Sequence, residues 1–383
     1  MKKFRVLSLL IVILTVTAMV VGCTSSTTPT SAPTATAAPT STATATAPPG
    51  KQVKVLFSNY YPAGLPTKDY YDTPNWYMDE VEKRTGGRVV FDRHFGGDLT
   101  KPGEEDDQLK DGLVDMAIPT SIFSPGTMPL WEMDGSLPFR PSDDTMVAQI
   151  KWQLFNEFPE LKAEISRLNA EGLYVNSYGS YQTIANRPLP DVASYKDLKV
   201  AVIGRFMPRW YSSIGGIPIT MVIPDRYSAL QSGIIDASSL SASSHRQYKY
   251  YEQAKHQAMP YFGCYAAMCM AIRNDKLKEI SAEDQAIMRE VGQEVINYRN
   301  GDYTAQLEGE AAAAMEELGV TFYYYDKEQR ETWAQSIDNF AQEWINEAKN
   351  DADHDVRVRM WLRYLELTQE KGYEWPMDWS NVT

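Results

Sequence analysis

From residue 53 onward, short β-type runs alternate with amphipathic helical stretches, a pace that confines the chain to layered α/β architecture with largely parallel strands. Residues 53–57 form the first β-type run, followed by an aromatic loop holding Tyr60 and Tyr61. Trp76, Tyr77 and Val81 then recur at helical spacing until Thr85-Gly86-Gly87 ends the pattern. Residues 88–94 predict a second strand, 104–112 a helix and 114–118 a third strand. The alternation resumes with strands over 173–177 and 200–203 and a helix over 226–233 ahead of Ile234-Ile235-Asp236. An apolar run over 261–272 reads as one more strand.

Ser281 is a good helix cap with Glu283 and Asp284 in the first turn. Between it and Gly319, only Gly292, Gly301 and Gly309 weaken a helix. Either one helix runs across two domains, or two helices meet near Asn300 and Gly301. After a strand over 320–325, an amphipathic helical tail starts at Glu328 and ends in an irregular stretch. Trp361, Trp375 and Trp379 are expected to clamp that tail back against a domain.

The amino terminus bears on location rather than fold. Lys2, Lys3 and Arg5 precede an apolar run over 6–21, too short for the ~20 residues of a spanning helix. Val20-Val21-Gly22-Cys23 then resembles a bacterial lipobox, which makes residues 1–22 a signal peptide and Cys23 the lipidated residue. Residues 23–50 are rich in Thr, Ser, Ala and Pro and suit a solvated tether. With the signal removed, the formal net charge of −13 becomes about −16, which disfavours nucleic acid and anionic lipid as partners. The lipid would hold the protein at the membrane.

Cys264 and Cys269 are five apart within the apolar run, so a strand points them to opposite faces and both read as buried free thiols. His94, His245, His256 and His354 show no metal-ligand spacing, and nothing calls for a metal or cofactor. No Ser-His-Asp or Cys-His arrangement, G-x-S-x-G turn or paired carboxylates on one helix face argue for an enzyme.

Three ordered segments carry a family resemblance. The first is Val81-Glu82-Lys83-Arg84-Thr85-Gly86-Gly87-Arg88-Val89, followed by 109–117. The second runs from Arg187-Pro188-Leu189 through Tyr195-Lys196-Asp197-Leu198-Lys199-Val200. The third runs from Gly216-Ile217-Pro218 through Tyr227-Ser228-Ala229-Leu230-Gln231-Ser232-Gly233-Ile234-Ile235-Asp236 to Tyr248-Lys249-Tyr250-Tyr251-Glu252. Together they resemble the solute receptors of tripartite ATP-independent periplasmic (TRAP) transporters, of the dicarboxylate-receptor type. The resemblance implies a type II periplasmic binding protein: two α/β domains, a central cleft and a long domain-spanning helix. Its expected bounds are 51–175 plus 265–320 for one domain and 176–264 plus 321–383 for the other. It implies a receptor that closes on a small organic solute and docks on an ion-driven membrane permease.

In open α/β sheets, ligands sit beyond the carboxyl ends of the strands. Those loops carry Tyr60, Tyr61, Thr120, Ser121, Tyr178, Tyr181, Arg205, Phe206, Ser239 and Ser241, with Arg209 on the next segment. Aromatic walls with a few polar groups suit a small organic ligand. The chain departs from the family at three ligand-contact positions, where Ala201 and Tyr181 replace arginines and Leu240 replaces an asparagine. Either Arg205 or Arg209 takes over a carboxylate, or the ligand is neutral or aromatic; the first is preferred, with a ligand bulkier or more apolar than a C4-dicarboxylate. A receptor for an ATP-driven importer or for a sensor protein is the alternative.

Overall fold

The computed structural model describes residues 51–63 and 71–383; Cys23 and the tether lie outside the described residues. Two sheets organise the chain. The first has the order β2-β1-β3-β10-β4, built from β1 (Val53–Asn59), β2 (Val89–Phe95), β3 (Met116–Ala117), β10 (Tyr265–Arg273) and β4 (Ala170–Tyr178). β1 pairs in parallel with β2 and β3, while β10 runs antiparallel to both β3 and β4. The second has the order β11-β9-β5-β8-β6-β7. Its strands are β5 (Gln182–Ala185), β6 (Lys199–Val202), β7 (Ile217–Thr220), β8 (Ala237–Leu240), β9 (His256–Met259) and β11 (Thr321–Tyr324). β8, β6 and β7 are mutually parallel, and β5 is antiparallel to β8 and β9.

Helices cover the sheets where the apolar spacing allows. α1 (Thr73–Arg84) buries Tyr77, Met78 and Val81, and α2 (Glu105–Asp111) buries Leu109 before a left-handed Gly112. α3 (Asp144–Glu157) is capped by Asp143, whose carboxylate accepts from Met146 N, and α4 (Pro159–Ser166) follows it. α5 (Met207–Ser212), α6 (Arg226–Ser232) and α7 (Ala242–Gln247) serve the second sheet. The strand expected over 114–118 keeps only two residues in register, Met116 and Ala117.

α8 (Asn274–Glu279) precedes the long helix. That helix is unbroken: α9 (Ala282–Glu294), a π-turn over Val295–Arg299 and α10 (Asn300–Glu317) follow without interruption. Two of its glycines are sites of close approach. A Cβ at Gly292 would sit 2.6 Å from the Leu173 carbonyl in β4, and one at Gly301 would overlap the Thr145 hydroxyl at the start of α3. Glu308, two turns further on, accepts from Ala242 N (2.9 Å) and Ser243 N (3.2 Å) of α7. The helix thus touches elements of both sheets.

The tail is three helices rather than one: α11 (Lys327–Ala334), α12 (Phe340–Asn346) and α13 (Asp351–Glu370). Asn339 and Asn350 cap the second and third, and such local caps favour new helix starts over continuation. Trp361 Nε1 donates to Trp379 O (2.9 Å) and Trp375 Nε1 to Thr368 Oγ1 (2.8 Å), holding the last stretch on α13. Arg363 bonds Glu157 of α3 (2.9 Å), so the tail returns to the first sheet's side.

The chain passes between the sheets after β4, before β10 and after α10. The first two crossings hydrogen-bond to each other: Tyr181 N donates to Gly263 O (3.3 Å) and Phe262 N to Tyr181 O (3.2 Å). Residues 140 and 141 join this ladder through Arg140 N to Phe262 O (3.2 Å) and Cys264 N to Pro141 O (2.9 Å). Cys264 and Cys269 are both free and buried. Among the described residues no helix is long and apolar enough to cross a membrane.

Candidate functional site

Loops at the strand ends of the two sheets face one another. A Cβ at Gly204, after β6, would lie 3.6 Å from Ile122 Cγ2, after β3, and Arg205 reaches Glu132 beyond that same segment. On the first sheet's side, Tyr60 stacks tilted on Tyr61 with centroids 4.1 Å apart, and its ring meets Phe123 edge-on at 5.9 Å. Thr120 and Ser121 are buried; Thr120 Oγ1 donates to Ile118 O (3.1 Å). Tyr181 is buried in the crossing ladder with its ring 5.7 Å from Tyr265. Tyr178 closes β4, its backbone in register with Tyr265.

On the second sheet's side two expected placements change. Ser239 lies inside β8 rather than in a loop after Asp236. The left-handed Gly233 ends α6, residues 234–236 make the turn, and ladder pairing begins only at Ala237. Ser241 is a helix cap: its Oγ accepts from Ser244 N (3.2 Å) at the start of α7.

The two arginines expected to hold a carboxylate are already engaged by the chain's own. Arg205 forks onto Glu132 through Nε and Nη2, both at 2.7 Å, and onto Glu347 through Nη1 and Nη2, the latter at 2.7 Å. Burial works against the Arg205 charge, but the bonds to Glu347 and Glu132 outweigh it and raise its pKa. Arg209 bonds Glu343 (2.6 and 2.5 Å) and lies 4.0 Å over the Phe340 ring. Phe206 packs 4.3 Å beneath the Arg205 guanidinium and 6.1 Å from Phe340. Glu343 and Glu347 come from α12 and the residue that ends it, in the tail beyond the segments that carried the family resemblance.

A different arginine is buried in this wall. Arg226, the first residue of α6, is fully buried at the carboxyl ends of β6 and β8. Its Nη1 donates to Ala201 O (3.4 Å), Ser238 Oγ (3.1 Å) and Ser239 O (3.1 Å), and Nε and Nη2 donate to Met221 O. The signal was in the sequence. Arg226, Ala229 and Leu230 stand at i, i+3 and i+4, the spacing of one helix face, and all three are buried. Beside it, burial pushes His245 down to about 3, so this histidine is neutral at pH 7.

A cavity of about 580 Å³ opens elsewhere, between the start of α3, the crossing residues Ser180 and Gln182, and α10. Asp143, Asp144, Asp302 and Glu308 line it with no Lys, Arg or His, which does not suit an anion. Among the described residues no cluster of three or more His, Cys, Asp or Glu is placed to hold a metal ion.

Burial also sets the pH response. It pushes Glu105 up to about 8, Glu164 to about 7 and Asp106 to about 6. The folded chain therefore keeps protons that the unfolded chain releases near pH 4–4.5. Stability from these groups is complete below the unfolded carboxyl range and is lost as pH rises through about 6–8. At about 1.4 kcal/mol per pKa unit, Glu105 alone contributes on the order of 3–5 kcal/mol across the full span. The melting temperature should be higher at pH 5.5 than at pH 8.5, with a flatter profile in Glu105→Gln; a wild-type melting point that climbs over that interval contradicts it.

Comparison with known proteins places this geometry. The family model described as bacterial extracellular solute-binding protein, family 7, matches residues 67–347. The C4-dicarboxylate-binding periplasmic protein DctP of Rhodobacter capsulatus is 25% identical over 268 residues, covering 68% of this chain and 78% of the relative. A TRAP solute-binding protein of Rhodoferax ferrireducens, solved with copurified benzoate, superposes with a TM-score of 0.72 at 17% identity, covering 84% of this chain and 100% of that one. One from Bordetella bronchiseptica, solved with (R)- and (S)-mandelate, gives 0.69 at 21% identity over 83% and 99%.

Proposed function

Because the chain belongs to bacterial extracellular solute-binding protein family 7, we propose that it is the extracytoplasmic receptor of a TRAP-type secondary transporter, closing on a small organic carboxylate and passing it to the membrane permease. The observation that carries this is the extent of the match, which takes in every strand of both sheets except β1. The ligands named for the three relatives are all carboxylates. Tyr60, Tyr61, Tyr181 and Phe206 give the strand-end loops an aromatic lining that suits an acid with an apolar body.

On this reading the two sheets mark two domains joined at the crossing ladder, close to 51–175 plus 265–320 and 176–264 plus 321–383, except that β4 of the first sheet runs on to Tyr178 and α13 returns to the first sheet's side. Closure is a rotation about that ladder. Arg205, bonded to Glu132 across the cleft, ties the two domains together in this conformation, while Glu347 and Glu343 hold Arg205 and Arg209 within the second. Thr120, Ser121, Ser239 and Ser241 supply polar groups to the wall. Lipid on Cys23 and the 23–50 tether would keep the receptor at the outer face of the membrane. The family's role is solute binding, and no catalytic residue is proposed.

A ligand that binds only the folded form raises apparent stability, by about 2.7 kcal/mol at a hundredfold excess over Kd. A thermal-shift screen of the purified chain against organic acids and their neutral amides tests the reading. Shifts confined to acids are expected. Shifts with amides or sugars and none with acids would reject the carboxylate class.

A further inference from the structure

The second domain grips the first at one short segment. Arg205, after β6, forks onto Glu132 through Nε and Nη2, both at 2.7 Å. Close by, Trp344 Nε1 of α12 donates to Pro129 O (2.8 Å) and Trp210 Nε1 of α5 to Ser136 O (3.4 Å). Glu132 is only 5% exposed, and among the described residues its two carboxylate oxygens are hydrogen-bonded by Arg205 alone. A buried carboxylate that loses its cation must be hydrated or protonated, so giving up the fork favours parting of the loops. Arg205 is held differently. Glu347 bonds the same guanidinium through Nη1 and Nη2, and the Phe206 ring lies 4.3 Å beneath it. Arg205 therefore keeps a carboxylate when Glu132 leaves, and release hands one charge to water rather than two.

The crossing segments carry the opposing feature. Phe139 and Tyr261 have left-handed backbones, with φ of 60° and 57°. That conformation is unfavourable for any bulky side chain. Each stands immediately before a donor of the crossing ladder, Arg140 N to Phe262 O and Phe262 N to Tyr181 O. Strain of this kind persists only where neighbouring contacts enforce it. Here Tyr261 N donates to Gln182 Oε1 (3.0 Å), and the Tyr373 hydroxyl donates to Phe139 O. Hinge motion is absorbed by φ/ψ changes at a few such positions, so both residues stand where opening would let the backbone relax.

Resting on the two-domain receptor reading above, we propose that Arg205 and Glu132 form a latch that holds the cleft shut against strain at Phe139 and Tyr261, so that the chain's own contacts close it before a solute binds. The fork offsets the strain on closure, and the strain is relieved as the domains part. Solute then enters only through the minor, open form, which lowers the apparent affinity in proportion to the open fraction.

The test is a pulsed electron–electron resonance distance measurement on the purified chain, dialysed free of small acids and spin-labelled at Lys101→Cys and Val222→Cys. Both positions are exposed, Lys101 near the glycine packed on Phe123 and Val222 just past β7, while Cys264 and Cys269 are buried and stay unlabelled. The labelled wild type is expected to show mainly the short-distance, closed population. Glu132→Gln, which keeps the shape and loses the charge, should lower the ratio of closed to open about tenfold. Adding Tyr261→Gly, which accepts a left-handed backbone without strain, should raise that ratio about fivefold. A wild type that is mainly open, or a Glu132→Gln distribution identical to it, overturns the latch. A ratio that Tyr261→Gly leaves unmoved overturns the strained hinge. Should Glu132→Gln fail to fold, Arg205→Gln decides on the same readings. The measurement uses no solute, so a latch found in a chain that binds no organic acid refutes only the receptor reading, and acid binding without a latch refutes only this one.

Discussion

Replacing Trp333 with alanine should destabilise the fold by about 3–5 kcal/mol, read by chemical denaturation, one of the two largest stability effects expected from a single change outside the site. Trp333 is fully buried at the junction of α11 with the crossing segments. Its ring meets Phe262 at 4.8 Å, Tyr195 at 4.7 Å, Tyr211 at 5.7 Å and Phe139 at 6.1 Å, and its Nε1 donates to Trp210 O at 2.9 Å. Removing it leaves a cavity among rigid rings that cannot collapse, and an orphaned carbonyl besides. Trp333→Phe keeps most of the ring contact and should cost clearly less. Equal losses in the two variants would mean that ring packing is not what Trp333 contributes.

Lys151→Ala should cost a similar 3–5 kcal/mol, by a different route. Lys151 and Asp134 are both buried, with Nζ 3.3 Å from the carboxylate, 3.2 Å from Trp131 O and 5.0 Å from the Trp131 ring. Losing the ammonium strands a carboxylate in an apolar layer beneath β10 and α13. The double replacement Lys151→Met with Asp134→Leu removes both charges and should recover most of the loss. Measured as a double-mutant cycle, additive losses would show that the two groups do not interact.

Much of the architecture was legible because it rests on local patterns. Residues 53–57 lie within β1, and 88–94 and 226–233 overrun β2 and α6 by one residue each, since alternation and helical spacing are local. Ser281 capped the helix it was expected to cap. The unbroken long helix was not decidable from its glycines, because Gly292 and Gly301 are explained by neighbours more than a hundred residues away. The tail's division into three helices is not legible in its amphipathic spacing, which does not register the caps at Asn339 and Asn350.

The candidate site was less legible, for a physical reason. Strand-end loops can be located from strands, but which charges are free depends on partners far off in the chain. Arg205 stands 73 residues from Glu132 and 142 from Glu347, and no periodicity links them. Arg226 carried a local signal, its place on the buried face of α6, yet a charged residue beside a short helix reads as surface until the neutral oxygens around it are seen.

If the receptor closes as proposed, the crossing ladder of Tyr181 with Phe262 and Gly263 is the pin of a lever. Rotation about a pin moves points in proportion to their distance from it, so the outer loops at Tyr60, Ile122 and Arg205 sweep the longest arcs. Tyr181, on the pin itself, would hardly move. The lever thus divides labour along its length. Groups near the pin can be pre-shaped and so lose little entropy when a solute arrives, whereas the outer loops meter how fast it enters and leaves.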